Sequence, residues 1–178
     1  KIVASLTYAM SKNIMNQFST SLILIGMPGA GKSTIGIVLA KALAKDFVDT
    51  DLLIQLQHNK TLQDIVDNQG YLKLREYEEQ VLLNTHYPNH IIATGGSAVY
   101  SEKSMQHLRH FGQIVFLDVP LPELIERVND IDTRGLARHP NQSFADLYHE
   151  RRSLYQAHAN ITIDCSGKTP DQIINQII

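Results

Sequence analysis

The chain has 178 residues, a length one domain fills, since single hydrophobic cores grow to roughly 100–200 residues before splitting. With 43% hydrophobic and 19% charged residues, 10 Gly and 6 Pro, its composition is that of an ordinary globular protein and excludes disordered, collagenous and fibrous classes. A formal net charge of -2 carries no basic field for nucleic acid or a membrane surface, one cysteine (Cys165) agrees with a reducing, cytoplasmic setting, and no apolar run approaches the ~18–20 residues that span a bilayer.

Residues 1–21 show no strong period and read as an N-terminal extension of undefined role ahead of one domain over 22–178. Leu22-Ile23-Leu24-Ile25 is a continuous apolar run closed by glycine, the pattern of a strand buried on both faces. From Lys32 to Lys45 the residues Ile35, Val38, Leu39, Ala42 and Leu43 recur at spacings of three and four, predicting an amphipathic helix. Phe47-Val48-Asp49 reads as a second strand, followed by helical stretches over Leu52–Gln57, Thr61–Asn68 and about Tyr71–Thr85, the last ending before Pro88. His90–Thr94 predicts a strand running into Gly95-Gly96, Glu102–His110 a helix, and Gln113–Leu117 another buried strand. Pro122 suits the first turn of a helix reaching about Val128. The period is lost over 129–142, a polar loop of the length expected for a lid. Ser143 then caps a helix to about His158, Ile161–Asp164 forms a last strand, and Pro170 opens a terminal helix. This alternation of strand and helix predicts an α/β fold, a parallel sheet flanked by helices, with ligands at the carboxyl ends of its strands.

Gly26-Met27-Pro28-Gly29-Ala30-Gly31-Lys32-Ser33 matches G-x-x-x-x-G-K-[ST] between a buried strand and an amphipathic helix. In that context Gly26, Gly29, Ala30, Gly31 and the helix start, with Thr34, turn backbone N–H groups toward phosphate oxygens. Lys32 reaches the outer phosphates and the Ser33 hydroxyl serves Mg²⁺, so a nucleoside triphosphate with Mg²⁺ is the expected ligand. The small chain and the lack of an Asn-Lys-x-Asp motif favour a small-molecule kinase over a GTPase. Asp49 and Asp51, two residues apart on a predicted extended segment, share a face of it. One could support hydrated Mg²⁺ while the other orients a substrate hydroxyl; the alternative is a pair of capping aspartates ahead of Leu52. Read alone, Arg75 with Glu78 and Arg151 with Arg152 are ordinary solvated helix charges, although Glu78, a turn after Arg75, is placed to hold that arginine. No His or Cys cluster has zinc-ligand spacing.

Taken together, these motifs resemble the shikimate kinases over about 22–178. Phe47-x-Asp49-x-Asp51 is similar to that family's acceptor motif, Gly70-x4-Arg75-x2-Glu78 to its substrate-arginine segment, and Thr94-Gly95-Gly96 to its Gly-rich strand end. Arg127, Arg134 and Arg151 with Leu154-Tyr155 follow the order of its adenine, lid and substrate arginines. The resemblance implies that Asp51 binds the acceptor hydroxyls and acts as base, that Asp49 joins Ser33 near Mg²⁺, and that Arg75 and Arg151, with Gly95 and Gly96, hold the acceptor carboxylate and ring. It further implies that Arg127 and Pro170 enclose adenine and that Arg134 stabilises charge on the transferring group, in a monomer acting on ATP and shikimate. Four positions depart from the family pattern: Tyr71 replaces Glu, Leu74 an aromatic residue, Ser97 the third glycine, and Gly135 the proline after the lid arginine. Two alternatives stay open: a related kinase for another polyol acid such as gluconate, and a nucleotide-binding regulatory module without turnover.

Overall fold

Runs that are apolar on both faces become the inner strands of one parallel sheet, because only a sheet covered on both sides buries such residues completely, and shorter, half-exposed segments form its edges. In the computed structural model, which describes residues 20–128 and 135–178, these are β1 (Ser21–Ile25), β2 (Asp46–Asp49), β3 (His90–Ala93), β4 (Gly112–Asp118) and β5 (Ile161–Asp164). Their order is β2-β3-β1-β4-β5, and all four neighbouring pairs are parallel. Residues 1–19 of the expected extension and residues 129–134 of the expected lid, including Arg134, lie outside the described residues.

The flanking helices are α1 (Lys32–Leu43), α2 (Thr50–His58), α3 (Leu62–Gln69), α4 (Tyr71–Leu83), α5 (Glu102–Arg109), α6 (Leu121–Arg127), α7 (Phe144–His158) and α8 (Pro170–Ile177). Local chemistry sets their starts. Thr61, Ser143 and Thr169 each accept from the backbone N–H three residues on while that residue's side chain reaches back, forming capping boxes, and Pro170 occupies the first turn of α8 as expected. A 3-10 turn over Ala98–Tyr100, which no sequence period announces, joins β3 to α5.

Two expectations change. The buried stripe of α1 is Ile35, Gly36, Leu39 and Ala40, whereas Val38 and Ala42 face outward. Small residues decide this: a β-carbon on Gly36 would stand 2.5 Å from Phe47 Cε2 and 3.4 Å from Leu24 Cδ1, so the helix rests on β1 and β2 along its least bulky line. Asp51 is not on extended backbone but in the first turn of α2, and Asp49 is that helix's N-cap. The main core surrounds β1 and β4, while a second cluster of Ile54, Ile65, Leu74, Val81 and Ala137 binds α2, α3 and α4 into a wall beside the carboxyl edge of the sheet.

Gly36→Val should overpack the α1–sheet contact at a cost of about 1–3 kcal/mol. Thermal denaturation checks this, with a drop in Tm of roughly 2–10 °C expected.

Candidate active site

The loop after β1 forms because its glycines adopt backbone angles that other residues resist; Gly31, the N-cap of α1, has φ +91°. Lys32 folds back across it, with Nζ donating to the carbonyls of Gly26 at 2.9 Å and Met27 at 3.0 Å. Burial lowers the Lys32 pKa, partly offset by the nearby carboxylates of Asp51, Asp49 and Glu78. Ser33 donates to Asp49 Oδ2 at 2.5 Å, and the other Asp49 oxygen accepts from the Asp51 N–H at 3.0 Å. Asp49 therefore caps α2, the alternative read from the sequence, and also brings a carboxylate oxygen to the Ser33 hydroxyl. Ser33 and Thr34 line the crevice together with Gly29, Gly31 and Lys32; Ala30 is buried beneath it, its N–H bonded to the Met27 carbonyl.

That crevice holds about 500 Å³ and runs from the loop to the Gly95–Ser97 segment. β3 delivers the segment, held in register by Thr94 Oγ1 donating to the Leu24 carbonyl at 3.1 Å. The Gly95 N–H donates to Thr50 Oγ1 at 3.2 Å, which fixes the start of α2, and so Asp51, beside it. Gly95 must lack a side chain, because a β-carbon there would lie 2.5 Å from Asp51 Oδ1 and closer still to Glu78 Oε1. Two carboxylates thus converge over one glycine. Burial raises Asp51 to about 6, against the pull of Lys32, and raises Glu78 to about 7, with repulsion from Asp51 adding and a hydrogen bond from Ser97 opposing.

Glu78 does not hold Arg75. It is 3% exposed, Ser97 Oγ donates to its Oε2, and its Oε1 has no hydrogen-bond partner. The added hydroxyl of Ser97, one of the four family departures, is thus engaged in the site. Arg75 turns instead toward the loop before α7, where its Nη2 donates to the Ala137 carbonyl at 3.0 Å. Arg151, 1% exposed, donates to that same oxygen from Nη2 at 2.8 Å. Two guanidiniums from distant helices converge on one acceptor, and neither forms an ion pair with a carboxylate among the described residues. Arg152, the next residue, grips Asp118 at the end of β4 through bonds of 3.0 and 2.7 Å, fastening α7 to the sheet with Arg151 turned inward. Tyr155, one turn on, donates to the Gly96 carbonyl at 2.6 Å. A β-carbon on Gly96 would meet Arg151 Nη1 at 2.9 Å and the Pro28 ring at 3.0 Å, so Gly96 too is a close-approach position.

Arg127 lines the loop end of the crevice, paired with Glu123 at 2.9 Å; Glu123 also accepts from the Gly167 N–H at 2.9 Å. Pro170 is exposed and does not line the crevice. Sequence reasoning missed Tyr100, whose ring supports Arg75, and the Ala137 carbonyl, a backbone atom that no side-chain pattern marks. Gly135 has φ +61°, which proline cannot adopt, and its N–H donates to Gln63 Oε1 at 2.6 Å. This accounts for the glycine at that lid position.

A phosphate cradle at one end of a crevice and paired carboxylates at the other are the geometry of a P-loop kinase acting on a small molecule. The chain belongs to the shikimate kinase family: the family model described as Shikimate kinase matches residues 28–178. A shikimate kinase of Bacillus anthracis is 35% identical over 158 residues, covering 88% of this chain and 95% of the relative. One from a Sulfurihydrogenibium species is 33% identical over 159 residues, covering 89% and 95%. Among solved structures, the Acinetobacter baumannii shikimate kinase in complex with shikimate superposes with TM-score 0.80 at 28% identity, covering 89% of this chain and 90% of that one.

Gly95→Ala should displace both carboxylates and cut turnover by about 100-fold, the scale of a misplacement near 1 Å. Titration with a fluorescent ATP analogue should show nucleotide affinity unchanged.

Proposed function

We propose that the chain transfers the γ-phosphoryl group of ATP to the 3-hydroxyl of shikimate. The observation that carries the acceptor is the convergence of Arg75 and Arg151 on the Ala137 oxygen, at the crevice that Asp51, Glu78, Ala137 and Arg151 line: a small ring with a carboxylate and hydroxyls matches that mix of guanidiniums and carboxylates in charge. Guanidinium suits this task because its planar fork engages both oxygens of a carboxylate. The shikimate-bound neighbour supports the same acceptor.

In this reading the loop amides of Gly29–Ser33 and the Lys32 ammonium hold the β- and γ-phosphates, and Arg127 lies along the adenine. Asp51 accepts the proton of the attacking hydroxyl as its oxygen bonds to γ-phosphorus and the bond to the β-phosphate oxygen breaks, releasing ADP. A carboxyl raised to about 6 is a stronger base than an ordinary aspartate yet largely ionised at neutral pH. Ser33 Oγ and Asp49 Oδ2, adjacent at 2.5 Å, are hard oxygen donors that fit Mg²⁺ alongside phosphate oxygens and water. The ion supplies charge neutralisation on the phosphates. Arg134 in the lid, about 129–142, stabilises charge on the transferring group, and closure excludes water that would otherwise hydrolyse ATP. The enzyme acts as a monomeric single domain over 22–178 in the cytoplasm, without nucleic acid; among the described residues no helix is long and apolar enough to cross a membrane.

A coupled assay of ADP release across a panel of hydroxy acids tests the reading. Shikimate-dependent turnover supports it, while turnover with another polyol acid alone, or ATP binding without turnover, overturns it. Asp51→Asn should reduce turnover by at least about 100-fold with ATP binding retained. Because Asp51 must be ionised to accept the proton, kcat/KM for the acceptor should fall as pH drops through about 6, and a pH–rate profile flat across that range would contradict the assignment.

A further inference from the structure

The two guanidiniums that converge on the Ala137 carbonyl carry like charge, and Arg151 is almost fully buried, so something must set their spacing before an anion arrives. The Ala137 carbonyl accepts from both, but one oxygen fixes one vertex and leaves each planar group free to swivel about it. Tyr100 supplies the missing constraints. The Arg75 guanidinium carbon lies 3.6 Å from the centre of its ring, in face-on cation–π contact, and that of Arg151 lies 5.3 Å away. The Tyr100 hydroxyl accepts from Arg151 Nε at 3.4 Å and donates to Glu150 Oε1 at 2.5 Å. Glu150 is itself held at its other oxygen by Gln142 at 2.5 Å. Ring and hydroxyl are thus fixed from behind, and each meets a different arginine. Arg75 Nε is buried with no partner, a donor left open on this clamp.

We infer that Tyr100 is a positioning residue for the acceptor carboxylate: its ring sets the plane of Arg75 and its hydroxyl, anchored by Glu150, sets the direction of Arg151. The inference rests on the assignment of both arginines to the acceptor. The negative face of an aromatic ring and the oxygen of a phenol are suited to the position between two cations, because they attract each of them without adding a formal charge that would compete with the incoming carboxylate.

The test compares wild type, Tyr100→Phe and Tyr100→Leu with shikimate and with its methyl ester, in which the carboxylate charge is removed. Tyr100→Leu should raise the KM for shikimate about tenfold, the scale of a desolvated cation–π contact, with the KM for ATP unchanged. Tyr100→Phe keeps the ring and loses the hydroxyl, so a rise of about threefold is expected. Turnover of the ester, slow in every case, should be insensitive to both substitutions. Equal rises in both KM values, no rise with shikimate, or the same loss with the ester would overturn the inference. Should Tyr100→Leu fail to fold, Tyr100→Phe with shikimate and ester still decides, since a purely structural role predicts equal effects on the two. Wild type without shikimate turnover would instead overturn the proposed function, and calorimetric binding of shikimate to wild type and Tyr100→Phe would still measure the clamp.

Discussion

Buried charge is the constraint around which this molecule is arranged. Lys32, Asp51, Glu78 and Arg151 share one crevice, and burial drives Lys32 toward its neutral amine and the two carboxyls toward their neutral acids. Opposite charges nearby offset that drive only while the geometry is kept, because desolvated ions are costly when separated. The surrounding structure is concerned with keeping it. Thr50 ties α2 to Gly95, Tyr155 ties α7 to Gly96, and Arg152 clamps α7 onto Asp118.

The phosphate end of the crevice was legible in the sequence because it is local: eight contiguous residues, Gly26 to Ser33, specify a strand end, a turn and a helix start. Inner strand positions were legible for a similar reason, since burial on both faces leaves unbroken apolar runs such as Leu22–Ile25 and Ile114–Leu117. The acceptor end resisted. Spacing alone pairs Arg75 with Glu78 on one helix face, but Arg75 goes to Ala137 and Tyr100 while Glu78 goes to Ser97, partners brought in by other elements. A carbonyl oxygen and a tyrosine in a short 3-10 turn leave no periodic trace. The outward turn of Val38 escaped for another reason: an apolar stripe reports hydrophobicity, and close helix–sheet packing is decided by size, here Gly36 and Ala40.

Departures from the family pattern acquire physical sense in the same terms. Ser97 adds a hydroxyl where a third glycine is usual and spends it on a buried carboxylate that would otherwise have neither oxygen bonded. With Leu74 in place of an aromatic residue, Arg75 lies between rings from elsewhere, Tyr100 at 3.6 Å and Tyr71 at 5.2 Å. Gly135 takes a left-handed turn against the start of α3, where a side chain would strike the backbone of Leu62 and Gln63. These changes cluster at the acceptor and lid and leave the phosphate loop as the motif prescribes.

The sheet order also governs how the chain reaches this state. β1 occupies the centre, where Leu22 pairs with Ile91 on one side and Gln113 on the other. Both partners lie far along the chain, so the central strand cannot be secured until long loops have closed, and such topologies fold slowly. Arg151 comes later in the chain than either partner strand. The phosphate loop, hung on β1 with Gly26 against Leu117, needs those same closures, and the acceptor clamp needs α7 as well, so catalytic competence should be the last property to return during refolding.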